Sequence, residues 1–163
     1  QVYGLGYHFI RLFKDIRPPE DIAVGSLSAI QYSLGAKLIK RQERIFKERH
    51  DKGVFLLTAL SGCPGLLVPK IYPDDYPVFN QLPLVFKDIP AKEQVIRRLW
   101  RSGIEAGEVY KKPLHRLFDL GYRPEEFPNA CYLAERLLVI PVHNLIIEGH
   151  LIQMIKIIKE QAR

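Results

Sequence analysis

Apolar residues recur mostly at spacings of three, four or seven between Ser26 and Leu60: Leu27, Ile30, Leu34 and Leu38, then Ile45 and Phe46, then, about three turns on, Leu56, Leu57 and Leu60. That is the period of one helix face, and it predicts a single long helix over this span. Gly35 and Gly53 interrupt the pattern. Each weakens a helix by about 1 kcal/mol against alanine, so they mark bends or close packing. The run SGCPG at 61–65 stops the helix with two glycines and a proline.

The pattern then changes period. LLVPKIY leads into YPVFNQLPLVF (76–86), where apolar and polar positions partly alternate, as in a half-buried strand. Pro77 and Pro83 have no amide donor, which predicts an edge or an irregular strand. Pro90 suits the first turn of a helix whose buried face is Val95, Ile96, Leu99 and Trp100, with Gly103 as its terminator. IEAGEV (104–109) reads as a short strand and 111–126 as a loop. Pro128 opens the short helix NACYLAERL, LLVIP (137–141) is a brief strand, and Asn144 is placed to cap a last helix with the face Ile147, Leu151, Ile155 and Ile158. Few strands with helices on one side predict an α+β fold: a small antiparallel or mixed sheet behind a long N-terminal helix. Residues 1–25 are aromatic and apolar, and Pro18 and Pro19 do not continue a helix, so this stretch reads as a connector or N-terminal arm. Left without a partner surface, its Tyr7, Phe9, Ile10, Leu12 and Phe13 predict self-association.

Composition narrows the class. An apolar fraction of 47% and a charged fraction of 26% are those of an ordinary globular protein. No apolar run reaches the roughly 18 residues that span a bilayer, so no membrane partner is expected. No signal peptide is expected either, and a sequence opening at Gln1 fits a processed chain or a piece of a longer one. The net charge of +6 is spread out. In KLIKRQERIFKERHDK (37–52) acidic residues break up the basic ones, the pattern of a solvated helix face. Basic residues interleaved with exposed aromatics are missing, which argues against a nucleic-acid partner. Cys63 and Cys131 make neither a disulfide framework nor a zinc site; they read as buried free thiols in a reducing, cytoplasmic setting.

No complete catalytic motif is present, so no catalytic residue and no metal ligand is assigned. His50 and His150 read as partly exposed helical histidines and His143 as a structural group at a strand end. The carboxylate pairs Asp74–Asp75 and Glu125–Glu126 adjoin prolines and read as turn solvation. The one dense constellation is GIEAGEVYKKPLH (103–115). Tyr110, Lys111, Lys112 and His115 bring phenol, ammonium and imidazole donors to one loop, as a wall facing phosphate or sugar oxygens requires. A surface loop with a packed tyrosine shows the same residues.

The run from Arg101 to His143 resembles the DegT/StrS family of pyridoxal-phosphate (PLP) dependent aminotransferases, which act on nucleotide-linked keto sugars. That family carries G-I-x-[TA]-G, then Y-x-x-[PL]-L-H, then F-P-x-A, then A-x-x-x-L-x-L-P-[LV]-H. Here Gly103, Tyr110, His115, Phe127, Pro141 and His143 fall in that order. LGAKLIKRQERIFKER resembles the family's L-G-x-x-Q-L-x-x-L-x-x-x-I-x-x-R helix.

The resemblance implies that residues 26–163 form the small C-terminal domain of a fold-type-I enzyme, closing one side of the substrate cleft. It implies Tyr110, Lys111, Lys112 and His115 as substrate-side residues. It also implies that PLP and its Schiff-base lysine belong to an N-terminal large domain, in a homodimer that shares active sites. The isolated chain is then expected to be inactive. Where the family has N-Y-R before the long helix, this chain has Val24, Gly25 and Ser26. That departure leaves a second reading, a non-catalytic homologue with an assembly or regulatory role. A free-standing α+β binding module is a third.

Overall fold

The computed structural model describes residues 25–163, in two units that divide at Leu38 and Ile39. The expected arm over 1–25 and its self-associating aromatics lie outside the described residues, Gly25 excepted.

In the first unit, Ser28 and Gln31 cap helix α1 (Ala29–Ile39) reciprocally: the Ser28 amide donates to Gln31 Oε1 at 2.9 Å and the Gln31 amide to Ser28 Oγ at 3.3 Å. This is a capping box, and it fixes the helix start three residues past Ser26. The expected single helix is in fact two. It breaks at Lys40 and Arg41, and α2 runs from Gln42 to Leu60. Between Ile39 and Ile45 stand only Lys40, Arg41, Gln42, Glu43 and Arg44. That turn has no apolar side chain to hold against a core, so continuation there rests on intrinsic propensity alone. Neither glycine makes the break.

The second unit is the α+β fold expected. Strands β1 (Leu66–Leu67), β2 (Gln81–Phe86) and β3 (Leu137–Pro141) form an antiparallel sheet in the order β1-β2-β3. Leu82 pairs with Ile140 and Leu84 with Leu138, while β1 reaches only Val85 and Phe86. Pro83 therefore sits where β2 has β3 on one side and no β1 residue on the other, which is how a proline is accommodated in the middle strand. Leu82, Leu84 and Phe86 alternate into the core. Helices α2, α3 (Ile89–Arg101) and α6 (Glu148–Gln161) cover them with Leu56, Val95, Leu99, Met154 and Ile158. Full burial of each such side chain contributes about 1.5–3 kcal/mol.

Several local readings are corrected. IEAGEV is not a strand: only Gly107 bridges to Val139. The 111–126 loop contains the one-turn helix α4 (Leu114–Leu117), after which α5 spans Pro128–Arg136. Asn144 caps nothing, since α6 begins at Glu148, and Ile147 is exposed. Leu151 and Ile158 are buried in α6 as expected, joined by Met154 and Ile157, while Ile155 is only partly buried against the core. Both cysteines are free but half-buried. The solvated face of α2 is as expected, with Lys47 paired to Asp51 at 2.7 Å.

Candidate functional site

Helix α3 aims the chain at the site. Asp88 accepts the Ala91 amide at 2.9 Å, and Pro90 occupies the first turn. At the far end Gly103 adopts φ +74°, a conformation open to glycine, and the Ile104 amide returns to the Leu99 carbonyl at 2.9 Å. The next residues are tied one after another. Trp100 Nε1 donates to the Ala106 carbonyl at 2.7 Å. Gly107 and Val139 exchange hydrogen bonds of 3.1 and 2.9 Å. Lys92 Nζ meets Glu108 Oε1 at 2.5 Å. The chain then leaves the core through the exposed Val109 and Tyr110.

The following loop folds back on itself. His115 Nε2 donates to the Pro124 carbonyl at 3.1 Å, and Arg116 Nη2 donates to the same oxygen at 3.1 Å. The carbonyl can only accept, so the imidazole carries a proton on Nε2. Phe127 lies 4.9 Å from the His115 ring and 5.0 Å, edge to face, from Tyr122. Cys131 Sγ on α5 is 3.9 Å from His115 Nε2 and 3.7 Å from the Pro124 carbonyl. Loop and helix are thus held together at the imidazole.

Between them lies a cavity of about 650 Å³. Tyr110, Lys112 and His115 line it from the loop, and Phe127, Leu133 and Leu137 line it from the start of α5 to the start of β3. Lys111, the fourth residue of the expected set, is not on the cavity wall and is exposed. The lining is mostly apolar, and Tyr110, Lys112, His115 and Tyr122 are its residues with polar side-chain groups. This arrangement suits a ligand with a ring or apolar face and an anionic or hydroxyl-bearing edge. Sequence reasoning missed the part of the lining that comes from α5 and the start of β3, although Ala130, Leu133, Ala134 and Leu137 recur at helical spacing. A face of that kind is read as core by default.

The other candidates take structural roles. His50 Nδ1 is 2.9 Å from the Pro77 carbonyl, and its ring stacks on Tyr76 at 4.0 Å. The Lys52 ammonium donates to the carbonyls of His143 and Asn144, both at 3.1 Å. Burial, with the positive charges of Arg49 and Lys52, lowers the pKa of His143 against a weaker opposing effect of Glu105. Asp75 accepts the Tyr72 amide, and Glu126 pairs with Arg123. Among the described residues no group of His, Cys, Asp or Glu is placed to hold a metal ion, and no helix is long and apolar enough to cross a membrane.

Residues 23–159 match the DegT/DnrJ/EryC1/StrS aminotransferase family. The chain belongs to that family. A comparison with curated protein sequences finds no match. Among solved structures, the fold is similar to that of DesV from S. venezuelae, solved in complex with a ketimine intermediate. The TM-score is 0.74 at 19% identity, over 96% of this chain and 44% of that one. It is also similar to the sugar aminotransferase CalS13 from Micromonospora echinospora, with a TM-score of 0.69 at 21% identity, over 92% and 40% of the two chains. A third is the E. coli GDP-4-keto-6-deoxy-D-mannose-3-dehydratase with bound hydrated PLP, with a TM-score of 0.69 at 17% identity, over 93% and 39%. The chain thus spans less than half the length of each of these structures.

Proposed function

We propose that this family member is the small, C-terminal domain of a PLP-dependent aminotransferase acting on nucleotide-linked keto sugars, and that the cavity of Tyr110, Lys112 and His115 is one wall of its substrate cleft. The observation that carries the reading is that Tyr110, Lys112 and His115 line one cavity together with the apolar face of α5. An anionic edge of the sugar nucleotide meets Lys112. A hydroxyl or keto oxygen meets Tyr110. Ring faces lie against Phe127 and Leu133. Family membership and the sugar aminotransferase among the structural neighbours support the substrate class.

The described residues do not by themselves fit PLP. Lys92, the buried lysine among them, has its ammonium on Glu108 and on the Glu135 carbonyl, and Lys112 stands on an exposed loop. Gly25 and Ser26, where the family pattern has Tyr and Arg, are exposed. No chemical step is therefore assigned to these residues. In this reading PLP and the aldimine-forming lysine belong to a large N-terminal domain of the same protein, in a cytoplasmic homodimer. The exposed Leu27, Ile30, Leu34 and Leu38 support a packed partner for α1.

The test is uptake of PLP by the full-length protein, read as its visible absorbance, together with substrate binding before and after His115→Ala. Uptake with weakened binding supports the reading; a full-length protein that never takes up PLP overturns it. The Val24-Gly25-Ser26 departure favours a second reading, a non-catalytic homologue serving assembly. A lysine in the Schiff-base context of the large domain argues against that one.

A further inference from the structure

Lys92 is 3% exposed, the one buried charged residue among those described. Its Nζ lies 2.5 Å from Glu108 Oε1 and also donates to the Glu135 carbonyl. A buried ion pair is weak evidence for stability, since an apolar side chain of similar volume often serves as well. What the ammonium adds here is direction. Its two partners are 16 and 43 residues away in sequence. Glu108 is two residues before Tyr110, and Glu135 is two residues before Leu137. Tyr110 and Leu137 both line the cavity.

We propose that Lys92 is a positioning residue that holds two cavity-lining segments in register, by fixing the start of the Tyr110–His115 loop and the end of α5 to one ammonium. The bridge between Gly107 and Val139 secures the chain only up to Gly107. The Glu108 tie carries that anchoring one residue further, to the point where the loop departs. Glu108 is 28% exposed on its side chain, so the tie stands between core and solvent. The inference rests on the reading of the cavity as a substrate wall, but its test needs no substrate.

Cys131 reports the loop, because Pro124 and His115 lie over its thiol; Cys63 lies against the core and serves as the internal control. In the 163-residue chain, Lys92→Met keeps the volume and removes the ammonium. Glu108→Gln is the milder variant and keeps the protein folded if the first does not. The expected result is alkylation of Cys131 by iodoacetamide about tenfold faster in either variant, with Cys63 unchanged, as for a local opening. A shift of the His115 ring resonances should accompany it. Unchanged Cys131 reactivity in both variants overturns the proposal. So does an equal rise at both cysteines, which means that the pair only stabilises the fold as a whole. Ligand binding by the full-length protein is a separate measurement: if His115→Ala leaves it intact, the reading of the cavity fails while the Cys131 result stands.

Discussion

The ring of Phe79 occupies the space that a β-carbon on Gly53 would fill. The ring has little freedom to yield. His50 holds the Pro77 carbonyl on one side of it, and Arg49 Nη1 donates to Asn80 Oδ1 at 2.7 Å on the other. Gly53→Ala gains about 1 kcal/mol of helix propensity. Overpacking at a pinned site costs about 1–3 kcal/mol. Urea denaturation should therefore show a net loss of stability, and Phe79→Ala in the same chain should make the alanine at 53 favourable.

Lys92 and Glu108 should be strongly non-additive. Removing one partner leaves the other charge with reduced compensation in a largely buried place, at a cost of about 3–5 kcal/mol when the site is fully buried and less for the half-open Glu108. The double variant Lys92→Met with Glu108→Gln should be less destabilised than the sum of the single ones by about 0.5–3 kcal/mol. Equilibrium unfolding of the four proteins measures that difference, and strict additivity contradicts a direct pair.

His143 gives a pH dependence whose sign follows from its surroundings. Burial and then the charges of Arg49 and Lys52 lower its pKa from the ordinary 6.5. Below that value the unfolded chain takes up the proton more readily than the folded one, so stability falls as the pH drops from 6.5 toward the folded pKa. Above 6.5 this contribution is fully present. NMR titration of the ring should give a midpoint below 6.5, and His143→Asn should flatten the stability profile in that window.

The two adjacent lysines of the loop should behave differently. Lys112 lines the cavity and Lys111 does not. On the proposed function, Lys112→Met in the full-length protein should weaken binding of a nucleotide-linked sugar by about 1.5–3 kcal/mol, the worth of a charged hydrogen bond. Lys111→Met should change it by less than about 0.5 kcal/mol, as for a surface substitution. Isothermal titration of both variants decides it, and equal losses would remove the cavity from the binding account.

Capping at α3 offers a control away from the site. Asp88→Ala removes the acceptor for the Ala91 amide and should cost about 1 kcal/mol in thermal or urea unfolding, with the reactivity of Cys131 unchanged.

Much of the architecture was legible because it depends on neighbours along the chain. Pro90 and Gly103 bracket α3, SGCPG ends α2, and LLVIP is β3, each from backbone restrictions or periodicity that a few consecutive residues state. The break at Lys40–Arg41 was not legible, since the apolar spacing is in step on both sides of it. The same limit applied at 104–109, where extended residues read as a strand but find one bridge partner.

At the site, the residue types Tyr110, Lys112 and His115 were given by the sequence alone, as was the glycine that turns the chain toward them. Three things were decided only by tertiary structure. One is that Lys112 lines the cavity while its neighbour Lys111 does not. Another is that the apolar face of α5 is a cavity wall. The last is that Lys92, outside the buried face expected for α3, is buried between Glu108 and Glu135. A charge enters a core only where a partner from a distant segment arrives to meet it. That partner is set by how the segments pack, and local sequence carries no record of it.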